Sequence, residues 1–166
     1  MTDDLHSGLA RMLDQYDERQ RVDRAREQRG RDEDTAFMSA FAELRRSVVR
    51  PVFEEAGRQL ASRGHAFEIS EREFDVGAAG GTVREAGISL RIAPAGMPKP
   101  LHDGDHERSL SITTRHYNKT LWINAGRANE AGGVAGAKGA YPLAQVDRRI
   151  VEEAVLKLVG AVMAPG

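Results

Sequence analysis

Apolar residues first recur at Leu5, Leu9, Met12 and Tyr16, a spacing that draws one stripe along about three turns of helix. The stripe then stops. From Asp17 to Asp34 only Val22 and Ala25 are apolar, among Arg19, Arg21, Arg24, Arg26, Arg29, Arg31 and a nearly equal number of Asp and Glu. Asp17–Arg21 and Glu27–Arg31 stand four apart with the acid first, the favourable order on a helix. The segment therefore predicts a solvated helix that frays at Gly30. A coiled-coil seam is confined to Leu5–Tyr16, because the heptad runs out of apolar residues beyond it. The stripe is expected either to pair with another chain or to fold back on the second helix as a helical hairpin broken near Gly30.

A second helix is expected over 35–63. Asp34 or Thr35 can cap it, and Phe37, Phe41, Leu44, Val48, Val52, Ala56 and Leu60 keep helical spacing along it. Pro51 falls within that row and removes a backbone donor, so one helix kinked at the proline is expected. Gly64 suits the residue just past its end.

Alternation then replaces helical spacing. Phe67-Glu68-Ile69 begins a strand that could reach Phe74, and Ile88, Leu90 and Ile92 alternate with Ser89 and Arg91. The best hairpin signal follows: Leu110, Ile112 and Thr114, then Leu121, Ile123 and Ala125, with the turn inside 116–120. Strands lie within 65–126, and a short one near 139–141 follows a Gly/Ala-rich loop at 126–140. Pro142 suits the first turn of a last helix, 142–163, whose apolar stripe is wide: Leu143, Val146, Ile150, Ala154 and Leu158 beside Val151, Val155, Val159 and Val162.

These elements predict an α+β fold. A charged helical arm (1–33) precedes a domain (34–166) in which an antiparallel sheet of four or five strands packs, as a two-layer sandwich, on the kinked helix and the C-terminal helix. The layout is similar in architecture to small bacterial chaperones and nucleoid-associated proteins, and it carries no motif of either.

Composition narrows the function classes. Charged residues make up 30% of the 166, which suits an extended solvated segment, while the net charge of −1 gives no global field to draw nucleic acid or an anionic membrane. No cysteine is present, which removes disulfides, thiolate metal sites and a cysteine nucleophile. With no long apolar run, the expected location is the cytoplasm, and the heavy use of Ala, Arg and Gly points to a GC-rich bacterial genome.

Candidate chemistry is sparse. One sheet face is expected to be polar, with Arg91, Thr113, Arg115 and the single tryptophan, Trp122, among serines. Trp and Arg are frequent binding hot spots, although Arg115 stacked on Trp122 would be a purely structural reason for the pair. His102 and His106 flank Asp103-Gly104-Asp105, a loop set that could hold zinc or could be ordinary turn chemistry. His65 and His116, and the pairs Glu54/Glu55 and Glu71/Glu73, are expected on solvated surface. Neither a P-loop nor a nucleophile elbow is present, and no cofactor is implied. The leading expectation is a non-enzymatic interaction module, a homo-oligomer or adaptor presenting Leu5, Leu9, Met12 and Tyr16 or the face around Trp122 to a protein partner. The alternatives are single-stranded nucleic-acid binding by that sheet face, and a metal-dependent enzyme using the 94–107 loop.

Overall fold

The computed structural model describes residues 2–77, 82–96, 108–125 and 139–164. The fold is α+β. Helix α1 (Thr2–Leu44), a π-helical turn (Arg45–Val49) and helix α2 (Arg50–Ser62) precede strands β1 (Ala66–Arg72), β2 (Gly87–Ala93), β3 (Ser109–Arg115), β4 (Thr120–Ala125) and β5 (Ala140–Pro142), and helix α3 (Arg148–Met163) ends the chain. Two compact units result, one up to Ala36 and one from Phe37 onward.

Three helical expectations change. The first is the break near residues 30–35: α1 continues through Gly30, Asp34 and Thr35 without a cap. A single glycine costs a helix only about 1 kcal/mol. Side-chain hydrogen bonds from Gln28 to Asp32 (2.9 Å) and from Arg31 to Gln28 (2.9 Å) span the position.

The second concerns Pro51. Its disruption takes the form of the π-helical turn, in which the Arg50 N–H donates to the Arg45 carbonyl five residues back, and the proline enters α2 at its first turn, where a missing donor is tolerated. The wider turn changes which side chains meet the core. Residues four apart advance about 40° per step on an ideal α-helix, and the π turn takes back part of that drift. Phe41, Arg45, Val49, Phe53 and Gly57, each four from the last, are therefore all buried. Leu44, Val48 and Ala56, expected at the core, are only partly buried beside it.

The third is the start of the last helix. Pro142 ends β5, residues Leu143–Gln145 form a short 3-10 turn, and α3 begins at Arg148. Asp147 sets that start, its carboxylate accepting the Ile150 N–H at 3.0 Å.

The sheet is a meander, β1-β2-β3-β4-β5, antiparallel throughout. The β3–β4 hairpin closes through residues 116–119, and Lys119 adopts the left-handed conformation there (φ 57°). Alternation assigns the faces. Ile88, Leu90, Ile92, Leu110, Ile112, Thr114 and Leu121 point inward and are buried with Phe41, Phe53, Val151 and Leu158. α2 packs on β1, and α3 packs on β3, β4 and α2. The outer face is left to polar side chains, and most of the Gly/Ala-rich loop (126–138) lies outside the described residues.

Candidate functional site

Two surfaces stand out. On the N-terminal unit, Leu5, Leu9, Met12 and Tyr16 form the expected stripe on a continuous helix, and all four are exposed, Leu5 and Met12 at 66% each. Leu13, which strict heptad counting leaves off the seam, widens the apolar face and is equally open. The charged turns beyond it pair differently from expectation. Arg21 forks onto Glu18 (2.5 and 3.0 Å) in place of Asp17, and Arg31 donates to Gln28 in place of Glu27. Neighbours three apart lie as close on a helix as neighbours four apart, and a bidentate fork is the stronger arrangement. The Arg21 hydrogen bond and charge hold the Glu18 carboxyl below the usual carboxylate range.

The second surface is the outer sheet face. Pairing places its side chains in cross-strand rows: Glu68–Arg91–Ser109, then Ser70–Ser89–Ser111–Asn124, then Arg72–Gly87–Thr113–Trp122. The middle row carries only short side chains and Gly87 none, so the face is hollowed by a trough of about 310 Å³ over β1–β3. Ser70 and Ser89 share a hydrogen bond (3.3 Å). Arg72 lies on one side, its Nε donating to the Glu85 carbonyl (3.2 Å). Arg115 stands diagonal to Trp122 in the register and lies over its ring, with Cζ 3.8 Å from the centroid. Of the residues singled out in sequence, Arg91, Thr113, Arg115 and Trp122 thus share one face, while His102 and His106 lie outside the described residues.

Sequence reasoning missed the groups behind this face. Arg45, on the π turn, is buried and donates to the carbonyls of Arg72 (3.2 Å) and Gly87 (3.4 Å) and to the Glu73 carboxylate (2.6 Å). Glu71 stands 3.8 Å from Arg45 and 3.1 Å from Arg50, which also meets Glu54. Glu55 pairs with Arg148. Of the carboxylates expected on solvated surface, Glu73 and Glu55 are mostly exposed as expected, yet Glu71 ties β1 to α2 and Glu55 ties α2 to α3, while Glu54 pairs within α2. Arg50, between two carboxylates, is held above the usual arginine range by those hydrogen bonds. His116 is likewise half-buried, its Nδ1 2.9 Å from Glu85 and its backbone N–H donated to the same carboxylate, with Phe74 edge-on to the ring. Arg45, one of the adjacent pair Arg45-Arg46 in a charged helix, gave no pattern that could have announced the buried network.

Comparison with known protein families, with curated proteins and with solved structures finds no match for this chain. Among the described residues, no group of three or more His, Asp or Glu could hold a metal ion, and no helix is long and apolar enough to cross a membrane.

Proposed function

We propose that the chain is a non-enzymatic interaction module that self-associates through the apolar face of its N-terminal helix and, as an oligomer, presents its α+β domain to a protein partner. The observation that carries this reading is the exposure of Leu5, Leu9, Met12, Leu13 and Tyr16 together along one stretch of helix. Such a contiguous apolar stripe is unfavourable in water and favourable against a second helix. Burying a leucine or methionine contributes about 1.5–3 kcal/mol, and a seam of about two heptads must offset an association cost of at least about 4 kcal/mol. A short seam of this kind suits a dimer that forms and dissociates reversibly, in keeping with an adaptor.

Single-stranded nucleic acid is the weaker occupant of the sheet face. Stacking needs an open aromatic plane, and Arg115 already lies over the Trp122 ring.

Light scattering of the full chain and of the double variant Leu9→Glu/Met12→Glu at tens of micromolar tests the proposal. Both positions are exposed, so circular dichroism should be unchanged. A dimeric parent and a monomeric variant are expected. A monomeric parent, or a variant that stays dimeric, removes the arm as the seam.

A further inference from the structure

We propose that the trough on the outer sheet face is a binding site for a small oxyanion, a ligand bearing a phosphate or carboxylate group, with Arg72 as its cation and the Ser111 and Thr113 hydroxyls as its hydrogen-bond donors. This inference stands apart from the self-association reading and would survive its failure.

Three observations carry it. The first is shape. An antiparallel sheet facing water is ordinarily covered by side chains of similar length, but here Ser70, Ser89 and Ser111 form one low row, and Gly87 adds no side chain to the next row between Arg72 and Thr113. The resulting volume, about 310 Å³, suits a ligand of a few heavy atoms around one charged group.

The second is charge. On the helices, Arg46, Arg50, Arg148 and Arg149 are each neutralised by a glutamate. Arg72 is instead positioned by a main-chain carbonyl through Nε, and among the described residues no carboxylate meets its guanidinium. Its terminal nitrogens retain the paired N–H geometry that matches two oxygens of a phosphate or carboxylate. Glu71 also borders the trough, but Arg45 and Arg50 occupy its carboxylate. Arg91 also lines the trough, but it is already engaged in an interaction, which leaves Arg72 as the cation for the ligand.

The third is the hydroxyls. Ser111 and Thr113 are half-buried, and neither side chain has a hydrogen-bond partner among the described residues, whereas buried Thr114 on the opposite face is satisfied twice over by Ala86. These hydroxyls line the same trough as Arg72, across β2 from it, and with that guanidinium give a donor set that an oxyanion lying over the trough would bridge.

Trp122 is opposite Thr113 and is the only tryptophan, so its fluorescence reports on the site. The full chain is titrated with sodium phosphate and, separately, with sodium acetate, at constant ionic strength set with chloride. Amide shifts are recorded in parallel. Expected is a saturable change with a dissociation constant of about 0.1–10 mM, with the Ser89, Ser111 and Thr113 amides moving most. Arg72→Gln should weaken it at least about tenfold, and Thr113→Val about threefold. Arg149→Gln, on α3, should leave it unchanged. Saturation by phosphate alone assigns a phosphate ligand, and by acetate alone a carboxylate. No saturation by either probe, an undiminished response in Arg72→Gln with native thermal unfolding, or a response only to a single-stranded oligonucleotide overturns the proposal.

Discussion

The Phe67 ring occupies the space in which any side chain at Gly57 would begin: a Cβ built there overlaps the ring edge. This contact brings α2 against β1, and it explains a glycine in the middle of a helix, where the residue type is otherwise unfavourable. Gly57→Ala is expected to lower stability by about 1–2 kcal/mol, since overpacking costs about 1–3 kcal/mol and better helix propensity returns up to about 1 kcal/mol. Gly30 has nothing within 4 Å of its would-be Cβ. Gly30→Ala should therefore raise helicity and stabilise its unit by about 0.5–1 kcal/mol. Urea unfolding of the two variants, followed at 222 nm, should show shifts of opposite sign.

Arg45 is the costliest polar residue to lose. Its guanidinium satisfies two main-chain carbonyls and a carboxylate from a buried position. Arg45→Met therefore strands the buried Gly87 carbonyl, weakens the part-buried Arg72 carbonyl and returns the exposed Glu73 carboxylate to water. The expected loss is about 3 kcal/mol. Arg45→Lys should recover little, because a single ammonium cannot reproduce the planar fork. Chemical denaturation of the two variants measures both values, and a lysine variant as stable as the parent would count against the fork.

Thr114 gives a cleaner measure of one hydrogen-bonding unit. Fully buried, it accepts the Ala86 N–H (3.0 Å) and donates to the Ala86 carbonyl (3.2 Å). Thr114→Val keeps the shape and leaves that N–H without its acceptor, for an expected cost of about 1–3 kcal/mol. Slowed amide exchange at Ala86 in the parent, lost in the variant, would locate the effect.

Arg115→Ala uncovers Trp122. Emission should shift to the red as the ring meets water, and stability should fall by about 0.5–1 kcal/mol, the size of a half-exposed cation–π contact. A steady-state spectrum suffices, since no second tryptophan contributes.

Acidification should weaken the Glu18–Arg21 pair of the arm. Glu18 has a carboxyl depressed by Arg21 in the folded helix. A depressed carboxyl stabilises the helix above its unfolded pKa, and the contribution disappears as the pH falls through the lower, folded value. Helicity of the parent should therefore drop in that acidic window by more than that of Glu18→Gln, and high salt should reduce the difference.

Much of this fold is legible in alternation and spacing. The β3–β4 hairpin, its inward Leu110, Ile112 and Leu121, and the diagonal meeting of Arg115 with Trp122 all follow once the pairing frame is fixed, because a strand has only two faces. Val49, Phe53 and Arg45 were hidden by a change of helical pitch. A row read at constant 3.6-residue period passes through Val48 and Val52, and only the π turn brings the adjacent residues inward. The trough was illegible for another reason. Ser89, Ser111 and Thr113 read individually as ordinary solvent-facing positions, and the hollow they share exists only where three strands separated by long connections come into register.

The strand order has a consequence for how the molecule is made. Each strand pairs with the one synthesised just before it, so the sheet can lengthen strand by strand as the chain emerges, the tight β3–β4 hairpin closing at least cost and the longer connections at more. α3, which covers the inner faces of β3 and β4, emerges only after all five strands. Until Val151, Val155 and Leu158 arrive, one side of a nearly finished sheet stands open, and a chain stalled before Arg148 would be the species most in need of a chaperone.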